Sequence, residues 1–367
     1  MKPTFLLVFA LMMAFYVWLH FYAAGWLARN FAPHLAGALR LSLLCLALLS
    51  PASMFVRRVV NAPLEHLYTA AFVWMGVIFF WGMGFLVYDA LRLALSAASR
   101  PLPPWAPRAF CAVMAALTAA SLYNGFRTPE IKRFDLAVPG LPASFDGLKI
   151  AQISDMHVDS GYQLVKFRGA AEKIAAEAPD LVVFTGDLVD PGIRCEAELE
   201  LAAAGLKPRL GSFASLGNHE YYYGLDRSMG CYEHMGIKLL RNSIAETGGL
   251  KIAGLDDIRT AGLEEADVER ALAPLRDEPF ALVLSHQPLL YEVIAGKGRF
   301  LVLSGHTHRG QIFPFHFFTR LAYRYFYGLY RLGDSFFYVT SGAGTWGPPM
   351  RLLAPAEVPL ITLRRAE

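Results

Sequence analysis

Cysteine is scarce in this chain, with four among 367 residues. Cys45 and Cys111 fall in long apolar stretches, and Cys195 and Cys231 show no close pairing pattern. The sequence therefore implies neither a disulfide framework nor a cysteine-rich zinc site. Charge is also sparse, at 18%, and nearly missing from the first third. Before Arg127 the acidic residues are Glu65 and Asp89 alone, against eight basic ones: Lys2, Arg29, Arg40, Arg57, Arg58, Arg92, Arg100 and Arg108. That part is net +6, so the whole-chain +3 leaves the remainder at −3. A slightly acidic remainder lacks the basic stripe that nucleic-acid binding needs, and no nucleic-acid partner is expected. Internal repeats and low-complexity stretches are absent too, which argues against a repeat array or a disordered chain.

What fills the uncharged part is apolar. Residues 5–26, 38–56, 67–88 and 109–123 form four long hydrophobic stretches. A bilayer core of about 30 Å needs about 20 apolar residues as a helix. The first three stretches meet that, and the fourth is shorter. Trp18, Trp26, Trp81, Tyr88, Trp105 and Tyr123 flank them, as expected at headgroup depth. A cleavable signal peptide is the other explanation for the first stretch, but its apolar part is long and further spans follow. Residues 1–126 are therefore expected to be a transmembrane region of four helices, and 127–367 a catalytic domain. Four spans put both ends on one side, together with the 55–66 loop. That side carries Lys2, Arg57, Arg58, Arg127, Lys132 and Arg133; the other carries Arg29, Arg40, Arg92, Arg100 and Arg108. Six against five favours a cytoplasmic domain only slightly.

Past the proline-rich turn at 101–104 the chain becomes polar, and an alternating strand is expected at 131–138. Apolar, β-branched runs then recur at 148–153, 181–185, 211–216, 238–244, 250–255, 280–284, 300–304, 335–340 and 360–363. Helical patterns lie between some of them, at 163–177 and 263–275. Strands alternating with helices predict an α/β domain, and adjacent strands without helices add antiparallel pairs.

Several of these runs end in residues that bind metals. In order they are Asp155-Met156-His157, Gly186-Asp187, Gly217-Asn218-His219-Glu220, Ser285-His286 and Gly305-His306-Thr307-His308. Five of the ten histidines sit in these motifs. A single histidine is more often a packed or surface imidazole, and Gly-Asp alone means little. The ordered set, each member after a strand, is another matter. Two close divalent ions need an anionic ligand between them, and Asp187 is the natural bridge. Asp155 with His157, and His306 with His308, are spaced to reach ions from one loop. Asn218 offers a neutral oxygen and His286 another imidazole. Ligation by His, Asp and Asn without thiolate suits two divalent ions, Mn²⁺ first, with Fe, Zn²⁺ or Mg²⁺ as alternatives. Such a pair generates a bridging hydroxide that attacks a phosphate, and His219 is expected to protonate the leaving oxygen.

The ordered set resembles the calcineurin-like metallophosphoesterase superfamily over about 148–363. The stretches 305–311, 327–331 and 338–344, with the closing Pro-x-Glu-like end, are similar to the bacterial membrane-associated YkuE/YaeI-type enzymes. The resemblance implies two mixed β-sheets sandwiched between helices, in a protein of the bacterial inner membrane. It also implies that Asp155, His157, Asp187 and His308 bind one ion, and that Asp187, Asn218, His286 and His306 bind the other, with His219 catalytic. Arg309 stands where relatives have glycine and Glu220 where aspartate is common, two departures that bear on substrate preference.

For the substrate, Arg309 and Tyr221 are the candidate binding residues. Between 313 and 338 twelve aromatic residues are interleaved with Arg320, Arg324 and Arg331. They read either as a packed strand and loop or as a rim on lipid headgroups. The expected function is hydrolysis of a phosphoester, phosphodiester or pyrophosphate, in a phosphorylated small molecule or a lipid-linked substrate. The resemblance includes cleavage of UDP-diacylglucosamine among the candidates. The rival is a metal-binding membrane sensor or transport-coupled protein without turnover.

Overall fold

The computed structural model describes residues 3–60, 65–159, 161–191 and 197–366. Lys2, Cys195 and residues 61–64 of the expected 55–66 loop lie outside them. The chain divides into two compact units, Met1–Tyr123 with Gly347–Met350, and Asn124–Trp346 with Arg351–Glu367.

The first unit is helical: α1 (Pro3–Phe31), α2 (Ala36–Ala47), α3 (Leu49–Val60), α4 (Glu65–Ala97) and α5 (Ala106–Phe126). Four segments are long and apolar enough to cross a membrane: Ala10–Phe31, Pro33–Val56, His66–Ala97 and Ala106–Phe126. The second expected span is not one helix. It breaks at Leu48, between α2 and α3, because Pro51 has no N–H to bond back to Ala47; Leu48 closes α2 with a shorter bond to Cys45 (3.2 Å). Trp26 stacks on Phe85 at 4.0 Å between ring centres, joining α1 to α4. Polar side chains also join α1 to α4: Asp89 accepts from Tyr22 (2.8 Å) and from Arg29 (3.0 Å).

The second unit runs β1 (Glu130–Pro139), β2 (Lys149–Ile153), α6 (Gly161–Ala176), β3 (Leu181–Thr185), α7 (Ala197–Ala203), β4 (Ser212–Ser215), α8 (Asn218–Tyr223), α9 (Leu225–His234), β5 (Lys238–Leu239), β6 (Ser243–Thr247) and β7 (Leu250–Gly254). It continues with α10 (Glu265–Leu272), β8 (Ala281–Leu284), α11 (Tyr291–Ala295), β9 (Phe300–Ser304), α12 (Phe315–Ala322), β10 (Gly328–Leu332), β11 (Ser335–Val339) and β12 (Glu357–Ala366). Two mixed six-stranded sheets result, ordered β1-β12-β2-β3-β4-β5 and β10-β11-β9-β8-β7-β6. The run expected as one strand at 238–244 divides between them, β5 in one sheet and β6 in the other.

Alternation along the strands makes the layers. In β3, Leu181 and Val183 point to the core between the sheets, while Val182 and Phe184 point to α6, α7 and α9. In β8, Leu282 and Leu284 join that central core, and Ala281 and Val283 face α10 and α11. Strands buried on both faces read as continuous apolar runs. Each fully buried Leu or Val contributes about 1.5–3 kcal/mol, more than the about 1 kcal/mol of a typical hydrogen bond. Side-chain layers, more than the turns, hold these strand ends in place. Cys231 is disulfide-bonded, a departure from the sequence expectation, whereas Cys45 and Cys111 are free.

Candidate metal centre

Each metal-type motif falls just past the C-terminal end of a buried strand: Asp155 and His157 after β2, Asp187 after β3, Asn218 after β4, His286 after β8, His306 and His308 after β9. Strands β2, β3 and β4 pair parallel, as do β8 and β9, so the ends of each group point the same way. Bonds between the sheets join the two groups. Gln152 donates to Ser304 O at 3.0 Å, and His286 Nδ1 to Thr185 O at 2.8 Å.

The chain leaves these strands through left-handed backbone. The φ angle is 54° at Asp155, 50° at His157, 53° at Asp187, 67° at His306 and 47° at His308. Such angles are uncommon for residues with a Cβ and concentrate at functional sites. Two glycines permit the close approach. A Cβ on Gly217 would stand 2.2 Å from Asp187 Oδ1, and one on Gly305 would stand 2.1 Å from Asp155 Oδ2.

Three sets of side chains converge closely enough to hold a metal ion: Asp155, His157 and His308; His157, Asp187 and His219; Asp187, His286 and His306. Asp187 faces both ends of this array, its Oδ2 3.1 Å from His286 Nε2 and 3.8 Å from His157 Nε2. Nitrogens also meet directly, His157 Nε2 with His308 Nε2 at 3.0 Å and His306 Nδ1 with His286 Nε2 at 3.2 Å. Asn218 Oδ1 is buried, with no hydrogen-bond partner among the described residues. Imidazole nitrogens crowded against one another and against two buried carboxylates, with an orphaned amide oxygen, fit divalent cations.

Outer hydrogen bonds fix which nitrogen faces inward. His286 Nδ1 must donate to Thr185 O, since a carbonyl only accepts; His157 Nδ1 donates to Asp190 Oδ2 at 3.2 Å. Both leave Nε2 inward. His306 is reversed: Nε2 donates to the Tyr323 hydroxyl at 2.7 Å, Tyr323 donates to Gln287 Oε1 at 3.1 Å, and Gln287 to Asp257 Oδ2 at 2.9 Å. Behind Asp155 the buried Arg351 donates to Ser341, Gly342, Gly344 and Ala354 carbonyls, tying down the loop that packs on that aspartate.

Electrostatics follow from this crowding. Burial alone would disfavour charge on every group. At Asp187 it is overridden: His286, then His219 and His157, hold the carboxyl well below the usual carboxylate range. At Asp155 burial prevails over His286 and pushes the carboxyl up. Burial works against His157 as a cation, yet Asp190, Asp187 and Asp155 raise it to about 9. His306 is pushed down to about 3 by burial and by His286.

The structure brings six of the seven sequence-derived ligand candidates, Asp155, His157, Asp187, His286, His306 and His308, into these sets. Asn218 lies between Gly217, which packs on Asp187, and His219, whose N–H donates to Asp187. It changes the account of their neighbours. His219 lies on the first turn of α8. Its backbone N–H donates to Asp187 Oδ1 at 2.8 Å and its Nδ1 pairs with Asp190 Oδ1. Glu220 is buried and structural, accepting from Gly217 N (2.7 Å), Asp187 N (2.9 Å), Leu188 N (2.8 Å) and Tyr232 Oη (3.0 Å). Its departure from aspartate therefore concerns the ligand loops more than substrate choice. Arg309 is half-buried, its guanidinium 4.3 Å from the Tyr327 ring centre. Tyr221 packs on the core cluster under α9, while its neighbour Tyr222 and Trp346 stand beside His219, at 5.3 Å and 6.1 Å between ring centres. Sequence reasoning missed Asp190, Gln287, Arg351 and Trp346, and gave Tyr323, one of the twelve aromatic residues of 313–338, no role at the metal ligands. Only Asp190, three residues past Asp187, carried a positional signal.

Residues 148–310 match the calcineurin-like phosphoesterase family. An uncharacterised metallophosphoesterase of Campylobacter jejuni is 36% identical over 255 residues, 68% of this chain and 67% of that protein. A transmembrane protein with metallophosphoesterase domain from Danio rerio is 32% identical over 269 residues, 69% of this chain and 62% of that one. This chain thus spans about two-thirds of the length of those two relatives. The metallophosphoesterase YkuE of Bacillus subtilis is 33% identical over 237 residues, 61% of this chain and 82% of YkuE. With four apolar helices ahead of the two-sheet domain, the protein is a membrane protein. Identity of about a third across most of YkuE settles its kinship: the chain belongs to the calcineurin-like metallophosphoesterase family.

Proposed function

We propose that this protein is a membrane-anchored phosphohydrolase working through two divalent ions, Mn²⁺ first among them. The observation that carries this reading is the position of Asp187, one carboxylate facing both His157 and His286. Asp155, His157, Asp187 and His308 would hold one ion; Asp187, Asn218, His286 and His306 would hold the other. Two such ions, when bound, supply deprotonated water near neutral pH and neutralise phosphate oxygens.

The chain's own residues do the rest. His219, held through Nδ1 by Asp190, keeps Nε2 free to hand a proton to the leaving oxygen. Arg309 follows His308 directly and brings a guanidinium to the rim for a phosphate, steadied on the Tyr327 ring. Tyr221 supports the His219 helix from the core side. Exposed Tyr222 and Trp346 give a flat apolar wall for an organic group. These features suit a phosphoester, phosphodiester or pyrophosphate in a small molecule or a lipid-linked substrate.

The proposed site of action is the bacterial cell membrane. The count of basic residues leans weakly to a cytoplasmic domain, whereas the Cys231 disulfide favours an oxidising compartment. A covalent bond that reduction would break outweighs a difference of one charge, so we place the domain on the extracytoplasmic side.

Full-length protein loaded with Mn²⁺ should hydrolyse generic aryl phosphodiester or monoester substrates. Asp187→Asn should lose nearly all turnover, and His219→Ala should lose about 10²–10⁴ in kcat. Turnover retained in Asp187→Asn, or none in metal-loaded wild type, would count against the reading.

A further inference from the structure

Helix α12 is turned inside out for a helix on a water-facing domain. None of its residues is buried. Leu321 is 85% exposed, Phe317 61% and Phe318 58%, with Phe315 and the preceding Phe313 close to 40%. At 3.6 residues per turn, Phe315, Phe317, Phe318, Leu321 and Ala322 share one arc. The polar residues His316 and Thr319 sit opposite and are the half-covered ones, with the His316 backbone against Gly310. An amphipathic helix of a soluble domain buries the first set and exposes the second.

Charge adds direction. From Arg309 to Gly333 there is no aspartate or glutamate, but Arg309, Arg320, Arg324 and Arg331 are present. Arg324 is paired with Glu292 at 2.8 Å. Arg320, beside Leu321, is exposed and has no ion-pair partner among the described residues.

We infer that α12 is a bilayer-docking element, with Phe317, Phe318 and Leu321 entering the interfacial layer and Arg320 meeting anionic lipid headgroups. An apolar arc edged by arginine is the pattern of helices that lie in a membrane interface. Anionic lipid supplies the charge that this acid-free stretch lacks. A second copy of the chain would instead face arginine with arginine. A bilayer is also always within reach, since only three residues separate α5 from β1. The docked helix would lie at the rim of the metal site. It begins five residues past Gly310 of the His308 turn, and the residue after it, Tyr323, reaches His306. The docking does not depend on the hydrolase reading.

The test uses the full-length protein, one copy per nanodisc, with Cys45→Ser and Cys111→Ser. An environment-sensitive fluorophore is placed at Leu321→Cys, at Phe317→Cys on the same arc, and at the exposed control Asp277→Cys. Quenching by nitroxide-bearing lipid should be several-fold stronger at 321 and 317 than at 277. That excess should fall when phosphatidylglycerol is replaced by phosphatidylcholine, or when Arg320→Glu is added. Equal quenching at the three positions would overturn the inference. So would protection at 321 that arises only with two copies per disc, which would mark a contact between chains.

Discussion

At His306 the two ring nitrogens have different work. Nδ1 faces His286 and the pocket, while Nε2 is tied to Tyr323, Gln287 and Asp257 in an unbroken run of donors and acceptors. Outer-shell partners of this kind are worth about 10–100-fold in metal affinity. Tyr323→Phe should therefore weaken binding at the His306 end by about that factor, with far-UV circular dichroism unchanged. Metal titration of the full-length variant checks it, and unaltered affinity would remove Tyr323 from the account. The six ligand candidates that converge could be picked out in sequence because each follows a strand end and histidine is rare. Tyr323 and Gln287 could not. Tyrosine and glutamine are common, and 36 residues of chain separate them until α12 and its following turn bring them together.

Among elements, the strands that carry ligands were the most legible, for a physical reason. Sheets covered by helices on one face and by the other sheet on the opposite face demand apolar residues at every position, so β3, β8 and β9 stand out as solid runs. Shorter or half-exposed elements escaped. β10 has a half-open alternating pattern inside the aromatic stretch, and α12 lacked the polar outer face by which helices are recognised. The ligand loops obey a steric rule that sequence shows only as glycine. A Cβ at 305 would overlap Ser154 Oγ at 2.0 Å as well as Asp155. Gly305→Ala should keep the strand content, because β8 and β9 remain packed, yet lose ions from the Asp155–His308 end. Circular dichroism with bound-metal analysis separates the two effects; full metal occupancy would show that the loop yields.

For the whole molecule, two features of different kind bear on where it works. The apolar helices mark a membrane protein, and the Cys231 disulfide carries the proposal that the domain faces the extracytoplasmic side. Cys231 is fully buried, so its thiol must be assayed after unfolding. Alkylation in denaturant, on protein from cells quenched in acid, should leave Cys231 unmodified until reductant is added. Modification without reductant would return the domain to the cytoplasmic side favoured by the basic-residue count. The second fact is the pair of carboxylates, Asp155 and Asp187, brought together from adjacent strands and ringed by imidazoles. Everything proposed about catalysis rests on that array taking up two cations. The direct measurement is the number of tightly held Mn²⁺ ions per full-length chain, by elemental analysis after loading and exhaustive buffer exchange, in wild type and in Asp187→Asn. The account predicts two per wild-type chain and fewer than one in the variant. One or none in the wild type, or two retained without the Asp187 carboxylate, would contradict it.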